Sequence, residues 1–438
     1  MCRVQTLVEC LMWNHLVKPL ALIALIAMPA CASSQRAIAA AAITPPVPVP
    51  RVKPVVVSVE SKQKAFEAWK TDFTQRAIAK GYPADLVRSV IAPTKINELA
   101  LERDKTQPEF TSPVWKYVDN AASPTRLAEG KAALSQNASM FRAVEERYRV
   151  SSHILTAIWG LETSYGKIMG RHDVPSALAT FAFEGRRMAF GEEQLFAVLD
   201  ILRSGKVTRD QLVGSWASAM GNTQFIPTTF RDYAVDFDGD GRKDLWKSKA
   251  DAIGSAAHYL SRMGWRAGEP SFAEVTLPKG FNYALADGSK RSISAWNALG
   301  VKPHNGQNWA AAAMNMETKL IVPAGANGPA IMTFKNFDVI KRYNNSTSYA
   351  LGISMLAEAL AGRPTLQTPW PKSDKQVAFK DLKRMQKKLT ALGYDTKGAD
   401  GIIGPNTRKA IQAWQVKNGL PADGYIEQGM FRKIMASR

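Results

Sequence analysis

The sequence predicts a mainly α (α+β) fold: a large helical domain with a small β-containing insertion, followed by a separate small helical unit. Three observations carry this. Apolar residues recur at helical spacing over most of the chain, as in Phe66, Trp69 and Phe73. Residues 270–335 break that rhythm with Gly, Pro and short alternating runs such as LIVPAG and AIMTF. A linker at 366–380 carrying Pro369 and Pro371 then sets off a last helical pattern at 381–436.

A chain of 438 residues has room for two or three domains, and its 46% hydrophobic fraction is ordinary for a globular protein. Its charge is not: 57 Lys and Arg stand against 38 Asp and Glu, a net of +19. Such a balance favours an anionic partner. The basic residues are spread along the chain and no nucleic-acid module is recognisable, so an acidic polymer or surface is expected rather than nucleic acid. All three cysteines, Cys2, Cys10 and Cys31, lie near the start, which excludes disulfides and thiol-held metals in the later domains. The five histidines show no zinc-type spacing.

In chain order, residues 1–31 read as an export signal: Lys18, a short apolar run, then small residues at Ala30, Cys31 and Ala32. Met12 would begin a more regular signal. Small residues before Cys31 fit a lipoprotein signal, which would lipidate Cys31, and the same string fits an ordinary A-x-A cleavage site; lipidation is the reading taken. Residues 32–60 hold five prolines and read as an extended linker. The main domain, 61–365, opens with a helix around Phe66 and a second at 83–91. One or two helices follow over 123–149, and two over 176–203 divided near Phe190 and Gly191. Another runs from Asp251, its expected N-cap, to a stop at Gly264. Residues 338–361 return to helix after the insertion. The C-terminal unit is amphipathic through Leu382, Met385, Leu389 and Leu392, and residues 374–438 carry 13 basic and 6 acidic residues.

Three strings carry chemistry. In SSHILTAIWGLETSYG, 151–166, Ile154, Ile158 and Glu162 fall on one helical face, with Gly166 as the expected C-cap. A carboxyl against apolar neighbours has a raised pKa and can hold a proton for general acid work. The alternative is a Glu at the core edge paired with an Arg. In SWASAMGNTQFIPTTF, polar amides among small residues suit hydrogen bonds to a ligand's hydroxyl or acetamido groups, or else satisfy the loop's own backbone. In DFDGDGRKDLW, Asp236, Asp238 and Asp240 match the first half of a calcium loop, with the Arg242 carbonyl at position seven. Position twelve is Lys247 where a Glu is wanted, so Asp251 is the candidate closing ligand.

Together these strings resemble the lytic murein transglycosylase B family, over roughly residues 61–365: WGLETSYG, AMGNTQFIP, the DFDGDG loop leading to DLW, and RYNNSTSYA. Residues 381–435 resemble the helical peptidoglycan-binding module through Met385-Gln386, Gly393-Tyr394, DGIIGPNT and AIQAWQVKNGL. The resemblance implies a lysozyme-like helical catalytic domain and a small three-helix peptidoglycan-binding domain. It implies cleavage of the β-1,4 bond between N-acetylmuramic acid and N-acetylglucosamine without water, leaving 1,6-anhydromuramoyl ends. Glu162 takes the acid/base role; Ser215, Gln224, Tyr259, Tyr343, Asn344 and Tyr349 match sugar-contacting positions; Arg186 and Arg187 are candidates for peptide or lactyl carboxylates. It implies a structural Ca2+, no organic cofactor, a monomer, and a periplasmic location in a Gram-negative bacterium, anchored to the outer membrane if Cys31 is lipidated. A lysozyme-type hydrolase and a non-catalytic wall-binding scaffold are the competing readings.

Overall fold

The structure, a computed structural model, describes residues 59–105 and 113–438. The expected signal, Cys31 and nearly all of the first linker lie outside the described residues. The chain opens with α1 (Val59–Ala79), α2 (Ala84–Ile91), α3 (Glu98–Lys105), α4 (Val114–Ala121), α5 (Pro124–Gln136), α6 (Ala138–Tyr148) and α7 (Ser152–Thr163). A two-residue strand β1 (His172–Asp173) leads into α8 (Val174–Phe183) and α9 (Met188–Arg203), and β2 (Val213–Gly214) pairs back antiparallel to β1. After α10 (Pro227–Tyr233) and α11 (Lys249–Arg262) comes the insertion. It contains β3 (Phe272–Thr276), β4 (Arg291–Ser292), α12 (Ile293–Ala298), β5 (Lys302–Pro303), β6 (Glu317–Ile321) and β7 (Ala330–Thr333). Its sheet has the order β4-β6-β7-β3-β5, antiparallel throughout, over a core built on Trp296. The expected β-containing insertion is therefore present. Helices α13 (Lys335–Tyr343) and α14 (Thr347–Leu360) return to the main body.

Two apolar cores hold the helical body. One gathers α1, α2, α8 and α9 around Phe66, Phe73, Leu178 and Leu195. The other packs α7 against α11 and α14 through Leu155, Ile158, Ile253 and Leu356. Helix α7 is buried from Ile154 to Gly160 without a polar face, so it is a core helix rather than one with a single apolar stripe.

Four boundaries differ from the sequence reading. The break between α8 and α9 falls at 184–187, where Gly185 has φ +99°, and not at Gly191. Gly191 is inside α9, where a Cβ would meet Ala182 N at 2.4 Å and Leu178 O at 2.7 Å; it serves close helix packing. The N-cap of α11 is Ser248, whose side chain accepts from Asp251 N, so Asp251 is a first-turn residue. Helix α7 ends at Thr163 with Ser164 as its left-handed cap, two residues before Gly166. The stretch 338–361 is two helices, because Ser346 caps a new one after the extended Asn344.

The C-terminal unit consists of α15 (Phe379–Ala391), α16 (Pro405–Lys417) and α17 (Gln428–Ala436) around Met385, Leu389, Ile411, Trp414 and Ile434. The buried Gln386 holds its turn: Nε2 donates to Asp400 Oδ1 at 2.9 Å and Thr407 Oγ1 at 3.0 Å, and Oε1 accepts from Gly401 N at 2.7 Å. The preceding linker is packed down. The Glu274 carboxylate accepts from Gln367 N at 2.6 Å and Thr368 N at 2.8 Å, and Trp370 lies against Trp115. Asp423 Oδ2 accepts from Ala326 N at 2.8 Å, beside Gly325, where a Cβ would sit 2.7 Å from the same oxygen.

Gly191→Ala should test the packing reading. Helix propensity alone would make alanine stabilising by about 1 kcal/mol. Overpacking against α8 should reverse the sign and lower stability by about 1–3 kcal/mol in urea unfolding.

Candidate active site

Glu162 lies in the last turn of α7. The residue keeps some exposure, yet its carboxyl is densely surrounded by protein. Loss of hydration raises its pKa from the ordinary carboxylate range to about 7, against a smaller lowering by a hydrogen bond from Tyr349. The partial negative charge of the helix end works in the same direction as burial. Tyr349 Oη donates to Glu162 Oε1 at 2.6 Å, and the phenol is itself buried in the first turn of α14. Burial, then the Glu162 charge, push Tyr349 and Tyr343 well above the usual phenol range, so both remain donors at neutral pH.

Tyr343, at the end of α13, donates to Thr223 O at 2.6 Å, and its ring meets those of Tyr259 and Phe225. Tyr259 Oη donates to Arg342 O at 2.8 Å. The break between α13 and α14 thus brings Tyr343 and Tyr349 to Glu162, with Asn344 exposed between them. An unbroken helix would have put the two tyrosines six positions apart, far round the helix.

The loop 214–226 folds back on itself through bridges of Met220 with Gly214 and Phe225. Ser215 Oγ accepts from Ala219 N at 3.1 Å. Gln224, at φ +50°, donates from Nε2 to Gly221 O at 2.9 Å and Met169 O at 3.2 Å. Both residues keep part of their surface exposed. The sequence reading did not single out Asn222 among the site residues. Its Oδ1 accepts from Trp159 Nε1 at 2.9 Å, and its Nδ2 donates to Leu245 O at 2.9 Å and Trp246 O at 3.1 Å. Its carbonyl accepts from Thr163 Oγ1 at 2.7 Å. This amide is spent on the protein and ties the end of α7 to the segment after the acidic loop. Only its place between Gly221 and Thr223, in a run closed by apolar Met220 and Phe225, signalled it.

Arg186 and Arg187 both pair with Asp104, at 2.8 Å each, so two guanidiniums share one carboxylate and keep a net positive charge. Two further carboxylates of the helical body are engaged elsewhere: Asp173 is bidentate with Arg209 and caps α8, and Glu184 pairs with Lys62.

In the acidic loop, carboxylate oxygens of Asp236, Asp238, Asp240 and Asp251 lie within 4.8 Å of one another. Asp251 is fully buried. Its Oδ1 accepts from Phe237 N at 2.7 Å and its Oδ2 from Asp244 N at 2.8 Å. Burial raises its pKa, the backbone N–H groups oppose that, and the Asp238 charge adds to it. Asp244, at position nine, instead accepts from Trp246 N and Lys247 N. An all-oxygen set of this density suits a hard cation such as calcium.

The model of the transglycosylase SLT domain family matches residues 65–358, and that of the putative peptidoglycan binding domain matches 380–434. Membrane-bound lytic murein transglycosylase B of Escherichia coli (strain K12) is 32% identical over 254 residues, covering 56% of this chain and 67% of that protein. The crystal structure of SltB3 from Pseudomonas aeruginosa in complex with NAG-anhNAM-pentapeptide aligns with TM-score 0.81 and 43% identity, over 85% of this chain and 99% of that one. The Escherichia coli lytic transglycosylase SLT35 in complex with calcium aligns with TM-score 0.59 and 29% identity, over 67% of this chain and 92% of that one. With most of the helical body and the insertion inside the first match, the chain belongs to the transglycosylase SLT domain family, is a lytic transglycosylase acting on peptidoglycan, and carries a peptidoglycan-binding domain behind its catalytic one.

Proposed function

We propose that Glu162 carries the cleavage, first as acid and then as base, at the β-1,4 bond between N-acetylmuramic acid and N-acetylglucosamine. The observation that supports this most is a carboxyl raised to about 7 by burial and oriented by the Tyr349 hydroxyl. A carboxyl raised to about 7 holds its proton close to neutral pH, which suits proton transfer. Glu162 protonates the glycosidic oxygen as the bond to the muramoyl C1 breaks. The muramoyl C6 hydroxyl then bonds to C1 and returns its proton to the carboxylate. One C–O bond is exchanged for another, a 1,6-anhydro ring forms, and no water is consumed. Among the described residues no second carboxylate shifts Glu162, which supports a reactant's own hydroxyl over the two-carboxylate schemes.

In this reading Tyr349 acts through Glu162. Ser215, Gln224, Tyr259, Tyr343 and Asn344 line the sugar path, and Arg186 and Arg187 meet carboxylates of the polymer only by sharing them with Asp104. Calcium is held by Asp236, Asp238, Asp240 and the Arg242 carbonyl, with Asp251 closing the set; it neutralises the carboxylates and fixes the loop. The calcium named with SLT35 supports this. Cys31 is the lipid anchor at the periplasmic face of the outer membrane, in keeping with the membrane-bound relative.

Glu162→Gln should reduce release of anhydro-muropeptides from purified sacculi at least about 100-fold, while pelleting with sacculi is retained. Release of reducing-end muramic acid by the wild type, read by mass spectrometry, would refute the water-free route. Because burial raises the Glu162 pKa, the competent acid persists up to about pH 7 and is lost above it. The alkaline limb of kcat/KM should therefore have its midpoint near 7. Tyr349→Phe removes a bond that favours the charged form and should move that limb to higher pH; movement to lower pH would contradict the assignment. Calcium at a hundredfold excess over its Kd should stabilise the fold by about 2.7 kcal/mol. A chelator that leaves Tm unchanged would remove calcium from the loop.

A further inference from the structure

The chain leaves the helix of Glu162 through an unusual turn. Ser164, Tyr165 and Gly166 take φ of +49°, +60° and +86°, and Ser164 and Tyr165 are the only adjacent non-glycine residues with positive φ among the described residues. Left-handed backbone is unfavourable for a residue with a Cβ, and it persists only where the surroundings fix it. Here the turn is bonded back to α7: Ser164 N donates to Gly160 O at 3.1 Å, Ile168 N to Thr163 O at 2.9 Å, and Gly166 N to Thr163 Oγ1 at 3.0 Å.

Two glycines on different helices make room for the Tyr165 ring. A Cβ on Gly160, two residues before Glu162, would lie 2.6 Å from both Cζ and Oη of Tyr165. A Cβ on Gly130, in α5, would lie 2.6 Å from the same Oη and 2.7 Å from Leu360 Cδ2. The phenol thus sits where α5, α7 and the last residue of α14 come together, and its ring meets that of Trp159 edge-on at 5.8 Å. Tyr165 Oη donates to Arg126 O at 2.7 Å. Inside a helix that carbonyl faces the N–H four residues on, at Gly130, and the missing Cβ there leaves it open to the phenol. Burial pushes the Tyr165 pKa up, so the hydroxyl stays a donor at neutral pH, between the opposed charges of Arg126 and Glu129. Lys167 ties the same exit to α5 by pairing with Glu129 at 2.7 Å.

A tyrosine that merely filled the core would need neither left-handed backbone nor a glycine on each of two helices. We infer that Tyr165 is a positioning residue for the reaction: its ring, in the slot left by Gly130 and Gly160, fixes the last turn of α7 so that Glu162 meets the Tyr349 hydroxyl of α14. The inference rests on Glu162 carrying the cleavage. Among the described residues, the titratable groups that act on Glu162 are the phenols of Tyr349 and Tyr343, both neutral at pH 7. Tyr165 is not among them, so it shifts the Glu162 titration only by moving the carboxyl.

Carbon-13 NMR of the full chain labelled at the glutamate carboxyl, with the Glu162 signal assigned by its loss in Glu162→Gln, reads that group whether or not it performs the cleavage. Gly130→Ala pushes on the phenol oxygen. Lost hydration is the larger cause of the raised Glu162 pKa, so a loosened turn should move the titration down toward the ordinary carboxylate range. On a soluble tetrasaccharide-peptide fragment of peptidoglycan, kcat should fall about tenfold to a hundredfold while KM is kept. Tyr165→Phe removes the atom that the new Cβ meets and keeps the ring. Added to Gly130→Ala, it should return both readings toward those of Tyr165→Phe alone. Tyr165→Leu, too short to reach α5, should reproduce the Gly130→Ala result and replaces it if alanine at 130 does not fold. An unmoved titration in either variant would overturn the inference. So would a Gly130→Ala effect undiminished by Tyr165→Phe, which would assign it to Leu360. Normal cleavage by Glu162→Gln alongside the expected titrations would remove the acid assignment and leave the hold of Tyr165 on Glu162 standing.

Discussion

The side-chain amide of Asn222 holds together the parts of this molecule that matter for chemistry. It is buried, and each of its polar atoms is used: Oδ1 by the Trp159 indole, Nδ2 by the carbonyls of Leu245 and Trp246. Its main-chain oxygen takes the Thr163 hydroxyl, one residue beyond Glu162. Each such bond contributes only about 1 kcal/mol net, but leaving one buried partner unmade costs about 1–3 kcal/mol. A network of this kind therefore resists partial disruption. The fit also dictates Gly166: at φ +86°, a Cβ there would lie 2.5 Å from Asn222 Oδ1. The chain can leave α7 beside this amide only with glycine at that point.

That clamp keeps a destabilised carboxyl in place. A Glu at the end of a core helix loses hydration and, among the described residues, gains only one strong bond, from Tyr349. Burial wins over the hydrogen bond, so the proton is held near neutrality. A second donor or a nearby cation would return the group to ordinary carboxylate behaviour and remove its capacity as an acid. Local chain geometry delivers the single donor. Ser346 starts α14 afresh, which swings Tyr349 into the core while Tyr343 finishes α13 against Thr223 and Tyr259.

Much of this was legible before any coordinates. Helical periodicity located many of the helices but not α3, α4 or α10, the change of rhythm located the insertion, and a carboxylate closing an apolar run singled out Glu162. The failures share a cause, which is that sequence pattern reports local preference and not what approaches from elsewhere. Gly191 reads as a break because glycine lowers helix propensity, yet it is there because α8 comes within contact of its backbone. Asp251 reads as a cap because it precedes a helix; its oxygens instead gather N–H groups from Phe237 and Asp244 in the loop before it. Asn222 lies in a polar stretch that reads either as ligand-facing or as bonding its own backbone, and its three partners come instead from segments distant in sequence. The charges of Arg186 and Arg187 were visible, but their shared partner Asp104 was not.

The same clamp gives the acidic loop a route to the helix carrying Glu162 that needs no long-range field. Asp251 organises residues 237–244 from within α11, and the strand of chain that leaves the loop presents the Leu245 and Trp246 carbonyls to Asn222. Gly221 seals this junction: at φ +68°, a Cβ would meet Leu245 at 2.6 Å. A cation among Asp236, Asp238 and Asp240 would remove the mutual repulsion that otherwise strains the loop. Its effect on Glu162 would then be positional, passed through backbone carbonyls to an amide and on to the last turn of α7. Coulombic influence would have the opposite signature, since a nearby positive charge lowers a carboxyl pKa, whereas a firmer clamp holds the carboxyl in its dehydrated setting and keeps that pKa high. The two routes therefore predict opposite movement of the same titration, and the packing of Asn222 favours the positional one.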